Sequence, residues 1–439
     1  MSIELTGDAT TEEPTRDDEA ATGDDPGDRK PAAEITARDA CERLRRGEPI
    51  SNARIVGLHL RGDFDLPIKL SRVELIKPRF EKARFAGCVE LDRCKLIRPV
   101  FGKKAVFAQG LDLRGCLLVA AMFRETTVAG KALRCDGMRT LGTFTAVACR
   151  FESEVRFWDA RFDGWAEFTK CHFLASADFR SLHAEQGFKL LECQFAGDAL
   201  FRGASFPKRW DAEKSRFEGL LDLSRAKFHD FAYLEAIEQG PGHRIAFHNA
   251  LAERILIRPE QVEGRLASEQ AGEYETAMHE YGLLKKNYEN LHRYEQEDWA
   301  FYRFKVNQRR CCQRSWRRPW SKCSQGADFL FLDHGCGYGT NPARAVRAAL
   351  LIIAAFAVIY MIGVEGLNVE KPPFGDDPKT LPNRVMIGLL TSVSVFTSGF
   401  GSLKDAARGW INLPLIAESL LGTLLWGLFI VAFSRKVIR

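Results

Sequence analysis

Five consecutive residues, Thr397-Ser398-Gly399-Phe400-Gly401, place a hydroxyl, two glycines and one aromatic between two long apolar segments. Such a run can aim successive backbone carbonyls at a desolvated cation. Irregular backbone at membrane depth survives only inside protein or along an aqueous path. The chemistry implied is coordination and passage of an ion. The nine histidines are dispersed, and no nucleotide loop or carboxylate pair stands at a motif spacing. The chain therefore reads as a non-enzyme with no cofactor beyond a permeant ion. Glu418 lies within the second apolar segment, where a charge is expensive and faces a cavity or a partner. It is a candidate gating or cavity carboxylate, or an interhelical hydrogen-bonding group. Gly422, one turn on, is a candidate hinge or a helix-packing glycine.

These residues need elements to hold them. Segments at about 346–367 and 413–433 are long and apolar enough to span a bilayer. Arg344 and Arg347 precede the first; Arg435, Lys436 and Arg439 end the second. Between them Glu365, Glu370, Asp376 and Asp377 outnumber Lys371 and Lys379. The positive-inside rule then puts both ends in the cytosol and the loop outside. Leu381–Phe396 is too short to cross and reads as a re-entrant half-helix whose C-terminal dipole favours a cation. Half-helix and filter occupy 381–402 within a pore domain at 326–439. One chain supplies one filter segment, so a carbonyl ring requires a homotetramer.

Residues 237–325 read as a helical connector. Tyr274, Tyr281 and Tyr288 recur every seven residues, as do Ala277, Leu284 and Leu291. The seam fits either a helix capping the preceding domain or a lever and oligomer contact. The connector ends in a basic cluster with Trp316 and Trp320. There Arg309, Arg310, Arg314, Arg317 and Arg318 are candidate contacts for lipid headgroups. Cys311, Cys312, Cys323, Cys336 and His334 match no standard zinc spacing.

Between 50 and 236 the chain repeats. Phe151, Phe162, Phe173, Phe195, Phe206, Phe217 and Phe228 fall on one eleven-residue grid, with Ala184 in the gap. A second grid, offset by six, carries Phe157, Phe168, Phe179, Leu190, Phe201, Ala212, Leu223 and Leu234. Two positions before the first grid runs a column of small residues that includes Cys149, Ala160, Cys171, Cys193 and Ala204. Large and small columns at a fixed period mark coils that bury their inward side chains by stacking on neighbours. The cysteines in the column read as small core residues rather than metal ligands. Ala120–Val147 breaks the pattern, so a distortion is expected there. Residues 1–34 hold eleven acidic and three basic residues, too polar to fold alone; 1–49 reads as a disordered acidic tail and lead-in. No basic n-region or apolar h-region marks a secretory signal, so the N-terminus is expected in the cytosol.

The small-x-large pairs (Cys149-x-Phe151, Ala160-x-Phe162, Cys171-x-Phe173) resemble the pentapeptide-repeat family. That resemblance implies a right-handed, roughly square β-solenoid, although spacings of five and six alternate here. Some members mimic DNA by negative charge; 31 Lys/Arg against 24 Asp/Glu over residues 51–235 oppose that here, and no nucleic-acid partner is expected. The order span, half-helix, Thr-x-Gly-Phe-Gly, span resembles the two-transmembrane potassium-channel pore. The resemblance implies that the Thr397 hydroxyl and the carbonyls of Thr397, Ser398, Gly399, Phe400 and Gly401 replace the hydration shell of K+. Ser398 stands where the family has an aliphatic residue, and Ser402 where it usually has Asp, so a less selective cation pore stays open. A solenoid followed by such a pore resembles a group of bacterial proteins, which implies a bacterial inner membrane. The expectation is a multidomain membrane protein: a tetrameric potassium-type channel regulated through its cytosolic solenoid by a protein, a small ligand or membrane lipid. The competing expectation is a membrane-anchored, non-conducting scaffold.

Overall fold

The computed structural model describes residues 33–252, 254–313, 326, 328–367, 380–398 and 408–437. Among them thirty-six short strands form two parallel ladders of 26 and 10 strands. Phe151 pairs with Phe173, Phe173 with Phe195 and Phe195 with Phe217, so one coil takes 22 residues. The eleven-residue grid is therefore half a coil, and alternate members stack in two separate columns. Phe173 and Phe195 lie 4.4 Å apart and within 2° of parallel, and Phe179 and Phe201 lie 4.7 Å apart. Cys149, Cys171 and Cys193 stack in the small column, fully buried. The Cys193 thiol donates to the Phe168 carbonyl at 3.3 Å. A hydrogen bond to Cys171 and burial push the Cys149 thiol well up, so it is an inert core group.

The corner before the small column has a definite conformation. Ala148, Asp159, Lys170, Ser181, Glu192, Lys214 and Arg225 all adopt left-handed backbone with φ between 52° and 57°, and Gly203 fills the remaining position of that series. Each turns a corner just before the small column. Their N–H groups stay satisfied across coils, as from Lys170 to the Leu191 carbonyl at 2.8 Å. The first coil is shorter, Arg54 pairing with Glu74 at a step of 20, yet it keeps the same left-handed corner at Asn52 and Arg72. In the irregular stretch, Leu117–Arg124 and Arg139–Val147 are long strands that run through a corner. Their register shifts between Val119 and Ala121.

The coils extend past the expected limits of 50 and 236. Ala33–Ile35 pairs with Ala53–Ile55, and Ile255–Leu256 pairs with Ala232–Tyr233. Helix α1 (Ala37–Arg45) covers the first coil. Thr36 caps it, Ala40 and Leu44 enter the core, and Arg45 donates to the Arg61 carbonyl at 2.9 Å. Residues 33–49 thus belong to the solenoid, and the acidic residues 1–32 lie outside the described residues. At the other end come α2 (Pro259–Val262), α3 (Ala267–Gln270), α4 (Tyr274–Asn290) and α5 (Tyr294–Gln313). The α4 seam faces the last coil: Ala277, Tyr281, Leu284 and Tyr288 are fully buried there.

A π-helical segment, Asp328–Gly335, leads to α6 (Pro342–Ile362), α7 (Leu381–Ser398) and α8 (Asn412–Val437). Helices α6 and α8 are long and apolar enough to cross a membrane, the second with the preceding 3-10 turn. They are mostly uncovered: Leu351 is 72% and Leu413 74% exposed. Such side chains need lipid or protein around them.

Candidate functional site

Helix α7 lies between the two long helices and makes its closest contacts through backbone. A Cβ on Gly388 would stand 2.5 Å from the Ala357 carbonyl of α6. A Cβ on Gly422 of α8 would stand 2.7 Å from the Phe396 carbonyl of α7. The candidate hinge glycine is therefore a close-packing position between α7 and α8. Gly388 opposes Ala357 and Ser392 bonds Ile353, so α7 runs antiparallel to α6. Ser392 meets Glu418 and Phe396 meets Gly422, so α7 runs parallel to α8 and in step with it.

Glu418 closes this three-helix unit. It is fully buried; its Oε2 accepts from the Tyr360 hydroxyl of α6 at 2.6 Å, and its Oε1 bonds Ser392 of α7. The Ser392 hydroxyl also reaches the Ile353 carbonyl at 2.9 Å. At the opposite end of α7, Arg408 N–H donates to the Gly366 carbonyl at 2.8 Å. The chain just before α8 thus meets the turn that follows α6.

Thr397 lies in the last turn of α7, and its hydroxyl donates to the Val393 carbonyl at 2.7 Å. The half-helix expected over Leu381–Phe396 runs two residues further, to Ser398. Gly399, Phe400 and Gly401 lie outside the described residues, as do Arg314, Arg317 and Arg318.

The other arginines of the basic cluster face protein. Arg309 is 13% exposed and pairs with Asp333 at 2.7 Å. Arg310 pairs with Glu269 at 3.1 Å, and Arg303 holds the same carboxylate at 3.0 Å. Asp333 also accepts from the Tyr302 hydroxyl at 2.8 Å and lies 3.7 Å from Arg344 at the start of α6. Arg435, near the end of α8, reaches Asp298 at 3.2 Å and Glu297 at 3.6 Å. Helix α5 is therefore tied to the solenoid cap, to α6 and to α8 at once. Sequence reasoning missed Asp333, Glu269, Glu297 and Asp298. Their one signal was acidity near a basic cluster, and no spacing connects Asp298 with Arg435.

The cap is equally specific. Glu280 accepts from Phe247 N–H at 2.6 Å; Asn287 accepts from Ile255 N–H at 2.6 Å and donates to its carbonyl at 2.9 Å; the Tyr288 hydroxyl donates to the Ile257 carbonyl at 3.1 Å. Side chains of α4 thus replace the next strand that the solenoid edge lacks. Burial raises the Glu280 carboxyl above the usual carboxylate range, while its Ser268 and Phe247 bonds oppose the shift.

Comparison with protein-family models, with curated proteins and with solved structures finds no match to this chain.

Proposed function

We propose that this chain is the subunit of a tetrameric cation channel, probed first with K+, whose pore domain is regulated by its solenoid. The supporting observation is how α7 is held. It enters beside the Gly366–Arg408 contact, descends between α6 and α8, and ends in step with the middle of α8. The Thr397–Gly401 run starts at that end. A buried carboxylate and two close-packed glycines fix the helix at membrane depth, where its C-terminal dipole attracts a cation. Exposed Val385, Leu389 and Val393 lie four apart on the free face of α7, a surface that neighbouring subunits would cover around a fourfold axis. The basic residues at the outer ends of α6 and α8 favour a topology with both termini on the cytosolic side, and the reading takes the membrane to be a bacterial inner membrane. There α5 would transmit solenoid movement to both spans.

The test is K+ flux from liposomes holding the purified protein, beside Gly399→Ala and with Na+ as competitor. Flux lost in the variant and poorly supported by Na+ establishes a K+ pore. Equal Na+ flux makes it a less selective cation pore. A folded oligomer without flux under every solenoid ligand tried, and under changes of lipid, returns the reading to an anchored scaffold.

A further inference from the structure

A cavity of about 400 Å³ opens where α5, the π-helical segment and the C-terminal half of α8 meet. Its two sides differ in chemistry. One is apolar, with Phe301, Leu332, Leu428 and Val431; Leu428 and Val431 lie on one face of α8, and Val431 is 60% exposed. The other is polar and basic, with Lys305, Gln308 and Arg309. Lys305 Nζ donates to Gln308 Oε1 at 3.0 Å and faces the Phe301 ring at 5.7 Å. Among the described residues no carboxylate lies within ion-pair distance of Lys305. The nearby Asp333 is shared by Arg309 and Arg344. Local charge is therefore positive beside an apolar slot.

We propose that this cavity binds one anionic phospholipid of the cytosolic leaflet, with its phosphate at Lys305 and Gln308 and an acyl chain along Leu428 and Val431. The depth is right for it: Arg435, one turn beyond Val431, marks the end of the apolar span. A soluble phosphate makes no use of the apolar wall, and a neutral lipid makes none of Lys305. The bound lipid bridges α5 and α8, the two elements joined by Arg435 and Asp298. The proposal rests on α8 spanning the membrane, not on conduction.

Native mass spectrometry of the detergent-purified full chain tests it, with phosphatidylglycerol, phosphatidylcholine and free glycerol phosphate each added at equal concentration. Phosphatidylglycerol is expected to be retained over phosphatidylcholine. Lys305→Gln should cut that preference about fivefold, the size expected for one cation beside an anionic headgroup. Val431→Trp, which fills the slot from an exposed position, should lower retention of both lipids. An unchanged thermal melt of each variant shows that the fold persists. Equal retention of the two lipids, insensitivity to both variants, or displacement by glycerol phosphate alone would overturn the proposal. A failed flux assay with lipid preference intact would remove only the channel reading.

Discussion

Glu418 links three helices through two oxygen atoms, and its replacement separates charge from hydrogen bonding. A glutamine side chain there would keep an acceptor for Tyr360 and offer N–H to Ser392, so Glu418→Gln is expected to leave assembly and melting temperature nearly unchanged. Glu418→Ala orphans buried hydroxyls, at a cost of about 1–3 kcal/mol for each unsatisfied group. Thermal melts of the two variants check this, and an alanine variant as stable as wild type would refute the node's structural role. A second residue-scale effect concerns His243 in the last coils. It is 2% exposed, its Nδ1 donates to the Gly219 carbonyl at 3.2 Å, and Nε2 has no partner among the described residues. Burial lowers its pKa from 6.5 to about 4. The unfolded chain therefore binds this proton first. Stability is complete above pH 6.5, falls as pH drops from 6.5 towards 4, and levels off below that. The loss totals about 3 kcal/mol at most. Denaturation midpoints across this range should show the slope in wild type and lose it in His243→Phe.

At the scale of elements, the solenoid depends on its ends. Asn287 supplies both a donor and an acceptor to Ile255. Asn287→Ala is expected to fray the last coils, with a stability loss of about 2–4 kcal/mol for two orphaned backbone groups. Hydrogen exchange should accelerate near Ile245 and Ile255 while Phe80 to Phe123 keep their protection; uniform acceleration would show that the coils open as one unit. The grid of Phe and Cys was readable because stacking demands one large and one small residue at each level, a rule written in side chains. The ends were not readable. Glu280 and Asn287 are ordinary polar residues on a helix, and only the unpaired strand edge beneath them gives them a task. The corners were hidden for a similar reason: Lys170, Glu192 and Lys214 carry no glycine signal for their left-handed backbone. Left-handed conformation costs a non-glycine residue about 1–2 kcal/mol, so Lys170→Gly should be neutral or stabilising in chemical denaturation. In the C-terminal helices, hydropathy marked α6 and α8, and the odd carboxylate marked Glu418. Its partners Tyr360 and Ser392 had no signature, since a hydroxyl in an apolar helix is common.

For the whole molecule, the channel reading asks how the solenoid would act on the two long apolar helices. The cap fixes α4 and α5 to the last coil, and α5 grips α6 through Asp333 and α8 through Asp298 and Glu297. Under the channel reading, a rotation of the solenoid would reach both long helices through α5. Arg435 and Asp298 are 20% and 14% exposed, buried enough for their pairing to matter yet wet enough to exchange charges. Residues in direct contact couple by about 0.5–3 kcal/mol, which is several-fold in an opening equilibrium. Under the channel reading, Arg435→Asp and Asp298→Arg should each change the open fraction in single-channel recordings by several-fold. Because neither residue lies near the filter run, the K+ to Na+ ratio of the open channel should stay constant. Combining the two restores opposite charges in swapped positions, so the double variant should return towards the wild-type open fraction. Additive rather than compensating effects would show that the pair does not carry the coupling and would shift it to the Asp333 contact with α6.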